Sequence, residues 1–279
     1  MFISFKRQLT ITFVYLGLIV FVLFSIFPVF WLMSCSIRPL LDLMMVPPKI
    51  FSSEFSLEFY KNVLIRTSFL KLMSNSLLVA LVSTFISVSF AAMCAYSISR
   101  MKFRGMNIAS RGILIAYMFP QVVLIVPLFV GLNRLGLADT RLGLILTHIT
   151  FSFPFAMWLL VSFFKTIPIE IEEAAKVDGA SNFFVFRMII LPLALPGIAT
   201  SAIFCFNLSW REFLYAFVII SRDNLKTLPV GLYGFIGGEY VKWGELMAAS
   251  TLIAIPTMVF FLLIQRYFIS GLMAGAVKG

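Results

Sequence analysis

The chain has 279 residues, of which 61% are hydrophobic and 12% are charged, and its mean hydropathy is +1.03. A water-soluble domain needs roughly a quarter of its residues charged, so this composition excludes that class. The formal net charge of +10 comes from Lys and Arg residues scattered singly between apolar segments. Because no basic run with interleaved aromatic residues is present, nucleic acid is not an expected partner, whereas anionic lipid headgroups are.

Six apolar segments are long enough to cross a bilayer, since about 20 helical residues span roughly 30 Å of hydrocarbon. Each is about twice the length of a barrel strand and lacks alternation of apolar and polar residues, which excludes a β-barrel. The sequence therefore predicts an all-α integral membrane protein with one transmembrane domain over residues 1–279. The six predicted transmembrane helices lie at about 9–33, 72–99, 112–133, 142–164, 188–218 and 246–265.

The loops between the predicted spans differ in length and composition. On one side of the membrane lie residues 34–71, predicted as a turn and a short amphipathic helix, the tight hairpin 134–141, and residues 221–245. Residues 165–187 and both termini lie on the other side. Eleven basic residues on the side of the termini face ten on the opposite side, so the positive-inside rule does not decide the orientation. The dense basic loop 100–111 favours termini inside.

The sequence contains no motif that points to an enzyme. Neither a Walker A motif, a Rossmann glycine fingerprint nor a cluster of metal ligands is present, and the chain has one histidine. Cys35, Cys94 and Cys205 lack C-x-x-C spacing, and Cys94 and Cys205, which lie in predicted spans, are expected to be packing residues. We therefore expect no catalytic residue, no metal site and no cofactor bound by this chain.

Loop 165–187 holds four of the twelve acidic residues within nine positions: Glu170, Glu172, Glu173 and Asp178. Pro168 suits the start of a helix, and carboxylates near the N-terminus of a helix stabilise it by about 0.3–1 kcal/mol each. Gly179 can adopt the left-handed conformation that ends helices, and Ser181 or Asn182 can cap a second helix that enters the fifth span. The small face and acidic rim of the first helix favour docking into a groove of another protein. An ordinary solvated loop is the alternative.

The segment "EEAAKVDGASNFFVFRMIILPLALPG" closely resembles the EAA signature of permeases of binding-protein-dependent ABC transporters. That signature has E-A-A, then D-G-A, then an apolar stretch that ends in I-x-L-P-x-x-x-P. The positions that match it are Glu173, Ala174, Ala175, Asp178, Gly179, Ala180, Leu191, Pro192 and Pro196. Near the C-terminus, "TLPVGLYGF" (227–235) and "WGELMAAS" (243–250) resemble the carbohydrate branch, the maltose-type second permease. The resemblance covers essentially the whole chain and is weakest over 1–70.

The resemblance implies the type I ABC importer (MetI-like) fold in a bacterial or archaeal plasma (inner) membrane, with loop 165–187 and both termini cytoplasmic. It also implies that the loop seats in a cleft of a separate ATPase subunit. The implied coupling residues are Glu172, Glu173, Ala174, Ala175, Asp178, Gly179 and Ala180. The implied partners are a second homologous permease, two ATPase subunits that carry ATP and Mg²⁺, and an extracytoplasmic substrate-binding protein.

A second candidate site lies in the fourth and fifth spans. An ionisable residue inside a membrane is a functional candidate by default, although for His148 a neutral imidazole bonded to a neighbouring helix is the favoured reading. Arg211, where the family more often has Asn, and Glu212 are adjacent and cannot face each other on a helix. At least one of them must therefore meet water, substrate or another chain. The residues expected to border the translocation path or the partner permease are His148, Asn207, Trp210, Arg211, Glu212 and Tyr215.

The predicted function is a permease subunit of an ATP-driven importer for a sugar or related polyol, which couples ATPase closure to alternating access. An oligosaccharide, a monosaccharide and a glycerol phosphate all remain open as substrates. The alternative is an ion-coupled secondary transporter that works without an ATPase. Such a protein would need carboxylates near the bilayer midplane and an inverted internal repeat, and neither is visible in the sequence.

Overall fold

The computed structural model describes residues 2–276 with the exception of 48, 50, 51, 53, 102–104, 106, 107, 109–111, 114, 116 and 237–239. Over this part of the chain the regular structure is helical and contains no strand, which confirms the all-α class. The helices are α1 (Phe2–Ser36), α2 (Leu40–Leu43), α3 (Glu58–Arg66), α4 (Phe69–Arg100), α5 (Gln121–Arg134), α6 (Arg141–Phe164), α7 (Glu170–Val177), α8 (Asn182–Leu193), α9 (Leu195–Trp210), α10 (Leu214–Ile219), α11 (Leu228–Tyr233) and α12 (Trp243–Ala276).

Four described helices, α1, α4, α6 and α12, are long and apolar enough to cross a membrane. They contain the predicted spans 9–33, 72–99, 142–164 and 246–265. The pair α8 and α9 adds a fifth span if its two bent halves are counted together. The predicted span 112–133 corresponds in part to α5, which has 14 residues, and its positions 114 and 116 lie outside the described residues. The count of six spans stays a prediction.

Two compact units make up the chain: one contains the residues up to 69 together with 232–254, and the other contains 70–231 and the residues from 255 onward. In the first unit, helix α3 buries Phe59 and Val63 on one face, which confirms the predicted amphipathic helix. Asn62 on α3 donates a hydrogen bond to Glu245 of α12 at 3.3 Å.

The core of the second unit is formed mainly by α4, α6, α8 and α9. Fully buried Ala91 and Ala95 on α4 leave room for the large side chains of Leu160 and Phe164 on α6. Helices without a hydrophobic driving force between them in lipid associate by close packing, for which such small residues are suited. This packing brings the loop that follows α6 next to the C-terminal end of α4.

The fifth predicted span is not one continuous helix. Residues Val185–Ile190 form a π-helix, and the axis turns by 75° between α8 and α9, next to Ala194. Pro192 and Pro196 each lie in the first turn of a following helical segment, where a missing N–H costs least. Helix α9 then ends at Trp210. The expectation of a single helix across 188–218 is therefore corrected: prolines and the π-helical turn divide it into segments.

Candidate functional site

The local structure of loop 165–187 agrees with the sequence prediction. Helix α7 begins at Glu170, so Pro168 precedes its N-cap, Ile169. Gly179 ends the helix with a φ of +87°, in the left-handed region. The Ser181 hydroxyl caps α8 by accepting a hydrogen bond from the backbone N–H of Phe184 at 3.2 Å. The predicted order of helix, sharp turn and second helix is confirmed.

The exposed face of α7 and its turn carries most of the predicted coupling residues. Glu173, Ala174, Asp178 and Gly179 are exposed, whereas Ala175 and Ala180 are half-buried and pack against the core of the second unit. Apolar residues that the sequence reading did not single out lie beside them. They are Ile169, Ile171, Val177, Phe183 and Phe184, of which Val177 is 87% exposed. Exposed apolar residues rimmed by charges are typical of a protein interaction surface.

Glu172 does not belong to that exposed face. Its side chain is 2% exposed, and its Oε1 accepts a hydrogen bond from Nε of Arg100 at the end of α4. The two residues thereby form an ion pair. Its Oε2 accepts a hydrogen bond from the Tyr96 hydroxyl at 3.1 Å. The Arg100 guanidinium also donates to the carbonyl oxygen of Ile167 at 2.8 Å. Of the predicted coupling residues, Glu172 is therefore the one whose side chain points into the protein, where it ties α7 to α4.

His148 lies at the centre of a buried polar cluster between three helices. Its imidazole is 1% exposed, and its Nδ1 is hydrogen-bonded to the Ser209 hydroxyl of α9 at 2.5 Å. That hydroxyl is 3.1 Å from the Ser83 hydroxyl of α4. His148 Nε2 lies 3.4 Å from a carboxylate oxygen of Glu212. The expected bond to a neighbouring helix is present, and the Glu212 carboxylate, from the segment after α9, lies near the other ring nitrogen without a hydrogen bond to it.

Arg211 and Glu212 point in different directions, as expected for adjacent residues, although neither lies in a helix. Helix α9 ends at Trp210 and α10 begins at Leu214, so the two residues occupy the break at 211–213. Glu212 turns inward: its oxygens accept hydrogen bonds from the backbone N–H groups of Tyr215 at 2.7 Å and Ala216 at 3.0 Å. It thereby satisfies amides at the start of α10 that have no helical partner. Arg211 is exposed.

A cavity of about 410 Å³, called here the polar cavity, opens beside this break. It is lined by Gln121, Phe151, Phe204, Asn207, Leu208, Arg211, Glu212, Phe213 and Leu214. Next to it, an aromatic cavity of about 210 Å³ shares two of these residues and is also lined by Tyr117, Phe119, Leu124, Leu128, Thr150 and Tyr215. The Tyr215 hydroxyl donates a hydrogen bond to the carbonyl oxygen of Gln121 at 2.6 Å, between the two cavities.

The structure thus brings together four of the six residues expected at the translocation path, since Asn207, Arg211, Glu212 and Tyr215 line the two cavities. His148 lies behind Glu212. Trp210 is not a lining residue: it is 3% exposed and stacks on Phe206 with ring centroids 5.7 Å apart. Gln121 lines both cavities but was missed by the sequence reading, because a single amide in an apolar segment has no distinguishing pattern.

Comparison with known proteins agrees with these features. The model of the family described as binding-protein-dependent transport system inner membrane component matches residues 87–274. The inner membrane ABC transporter permease protein YcjP of Escherichia coli (strain K12) is 35% identical over 276 residues, 98% of this chain and 99% of that protein. The trehalose transport system permease protein SugB of Mycobacterium tuberculosis is 36% identical over 258 residues, 92% of this chain and 93% of that protein.

A solved structure shows the same fold. It is that of a bacterial ABC transporter involved in the import of the acidic polysaccharide alginate, with a TM-score of 0.79 and 22% identity over 95% of this chain and 98% of that chain. The resemblance noted in the EAA segment is confirmed by the family match, which includes that segment. The chain belongs to the family of binding-protein-dependent transport system inner membrane components.

Proposed function

We propose that this chain is the transmembrane permease subunit of an ATP-driven ABC importer for a sugar or a related polyol. Membership of the family supports the permease function, and the trehalose system named for SugB supports a carbohydrate substrate. The ion-coupled alternative has no such support. The chain itself would bind no nucleotide, and ATP with Mg²⁺ would be held by separate ATPase subunits.

The observation that carries the proposal is the position of α7. Its exposed face presents carboxylates and apolar side chains, while its inner face is bound through Glu172 to Arg100 and Tyr96 of α4. A partner that moves α7 would therefore also move α4, because the buried ion pair between Glu172 and Arg100 prevents α7 from moving independently of α4. Alternating access then requires that the closed and open ATPases bind α7 differently, since only differential binding shifts a conformational equilibrium.

The remaining parts of the proposal concern the assembly. Two ATPase subunits would bind on the side of the membrane that carries α7 and both termini. That side would therefore be the cytoplasmic one. A second homologous permease would complete the pathway within the membrane. A substrate-binding protein would deliver the sugar from the opposite side, where the loops 34–71 and 221–245 are expected.

The experiment that tests this proposal starts with affinity purification of the tagged chain from native membranes in mild detergent. We expect an ATPase, a second permease and a binding protein to co-purify, and the complex in proteoliposomes to accumulate sugar only with ATP. A chain that purified alone and carried out transport driven by an ion gradient would contradict the proposal.

A further inference from the structure

Arg211 is a cation that lines the polar cavity, and no described residue of the chain pairs with it. Its side chain lines the cavity and is exposed, and its guanidinium makes no hydrogen bond or ion pair within the described part of the chain. Two other arginines of the second unit differ from it: Arg100 is bound to Glu172, and Arg141 donates to Asn75 at 2.9 Å. The free guanidinium is therefore available to a ligand.

The acidic residue of the polar cavity does not neutralise it. Both carboxylate oxygens of Glu212 already accept backbone N–H groups at the start of α10, and one of them also lies near His148. Its side chain is 9% exposed. The accessible polar groups of the cavity are thus one guanidinium and the amides of Asn207 and Gln121. The cavity has more donors than acceptors, so it favours a ligand that accepts hydrogen bonds.

The surroundings indicate that the polar cavity holds water. A charged side chain in the bilayer costs about 2.5–3.5 kcal/mol at its centre, which makes a lipid-facing position for Arg211 unfavourable. Irregular backbone at membrane depth is tolerated only where it is buried in protein or lines a water-filled cavity. The break at 211–213, between α9 and α10, is such backbone.

We propose that the polar cavity binds the anionic group of an acidic sugar, a carboxylate or phosphate, with Arg211 as its direct partner. A guanidinium binds such groups with two parallel hydrogen bonds. Phe151 and Phe204 supply apolar walls for the sugar ring, and a volume of about 410 Å³ falls within the range of small-molecule sites. The inference rests on the proposed function, since it names the substrate class of the pathway in which the cavity would lie.

The first part of the test measures the electrostatics of the cavity. In the assembled complex, with the three native cysteines replaced by alanine, Leu214→Cys introduces one thiol at the wall of the polar cavity. We expect an anionic methanethiosulfonate to react faster than a cationic one, and Arg211→Gln to lower that ratio by about fivefold or more, because a nearby unit charge concentrates anions. The matched control is Arg222→Gln, which removes a cation that is paired with Asp139 outside the cavity.

The second part determines which class of ligand binds, from the extent to which each ligand protects the same thiol from labelling. Glucuronate or glucose 6-phosphate should slow the labelling, whereas glucose at the same concentration should not. Protection should be lost in Arg211→Gln and partly kept in Arg211→Lys, which preserves the charge without the planar fork.

Three results would overturn the inference: an unreactive thiol, equal protection by glucose, or protection that survives Arg211→Gln. ATP-dependent uptake by the same complex is measured separately. Loss of coupling between ATP hydrolysis and uptake would contradict the proposed function and leave the binding result unaffected.

Discussion

Glu172 and Glu173 are adjacent carboxylates that have opposite surroundings. Glu172 is enclosed with Arg100 and Tyr96, whereas Glu173 faces the outside of α7. Removing one partner of a buried ion pair leaves an uncompensated charge, which costs about 3–5 kcal/mol. The two residues should therefore give different results when each is changed.

Glu172→Gln should destabilise the protein by about 3–5 kcal/mol, because it leaves the Arg100 guanidinium without its counter-charge. The thermal unfolding midpoint of the purified complex measures this effect. The double variant Glu172→Gln with Arg100→Gln should recover part of the loss, since neither charge is then left alone. Additive losses in the double variant would contradict an ion pair between these residues.

Glu173→Lys should weaken co-purification of the ATPase without a change in the unfolding midpoint, because the exposed Glu173 side chain has no hydrogen bond or ion pair to lose within the described part of the chain. Asp223→Lys is the control, since it reverses a charge that is 93% exposed in a loop expected on the other membrane face; its ion pair with Lys226 lies at the surface and contributes little to stability. Equal ATPase recovery in the two variants would exclude Glu173 from the interface.

At the scale of elements, the turn between α7 and α8 depends on the conformation of one glycine. Gly179 has a φ of +87°, and a Cβ at this position would meet no atom within 4 Å. Any effect of a substitution therefore comes from the backbone and not from a collision. A left-handed conformation costs a residue with a side chain about 1–2 kcal/mol.

We expect Gly179→Val to abolish substrate-stimulated ATP hydrolysis while the protein still inserts into the membrane, because the strained turn changes the angle at which α7 is presented. Gly136→Val is the matched control, because Gly136 also has a left-handed backbone, with a φ of +68°, and open space around it. It differs only in its place, since it lies in the hairpin 134–141. If both variants hydrolysed ATP normally, the turn after α7 would have no part in coupling.

The hairpin 134–141 is joined to the segment after α10 by Asp139. The backbone N–H of Arg222, together with the N–H of Ser221 and the Arg222 guanidinium at 2.8 Å, holds the pKa of Asp139 below its usual value. A lowered pKa in the folded state contributes stability above the unfolded pKa of about 3.9, and this contribution is lost as the pH falls through the folded value.

Amide hydrogen exchange at Ser221 and Arg222 should therefore show protection that is constant at neutral pH and decreases in the acid range, after correction for the intrinsic rate. Asp139→Asn should remove this pH dependence, because its side chain does not ionise. A dependence that persisted in the Asn variant would mean that another group is responsible.

At the scale of the whole molecule, the open question is which side of the membrane each loop faces. Because one predicted span, 188–218, separates them, Val177 and Tyr240 should lie on opposite sides of the membrane, and both are well exposed, at 87% and 79%. In intact cells a membrane-impermeant thiol reagent should label Tyr240→Cys, and should label Val177→Cys only after permeabilisation. Labelling of both from outside would contradict the predicted orientation.

The sequence by itself determined the membrane class, the family and the local structure of loop 165–187. The hydropathy of a segment reflects the free energy of transferring its side chains into lipid, so it indicates the membrane class. The caps of α7 and α8 act within a few residues, so the roles of Gly179 and Ser181 could be predicted without knowledge of the fold. The EAA segment is likewise contiguous. These features needed no information about which helices are neighbours.

Only the tertiary structure decided which side chains meet. The sequence could not assign Glu172 to Arg100, because the two lie 72 positions apart and nothing local marks the pairing. It also could not predict the polar cavity, since membrane helices are apolar on every side and their periodicity does not show which face is buried. It could not show which of Arg211 and Glu212 turns inward, because that depends on the break after α9, where Glu212 accepts the backbone N–H groups at the start of α10.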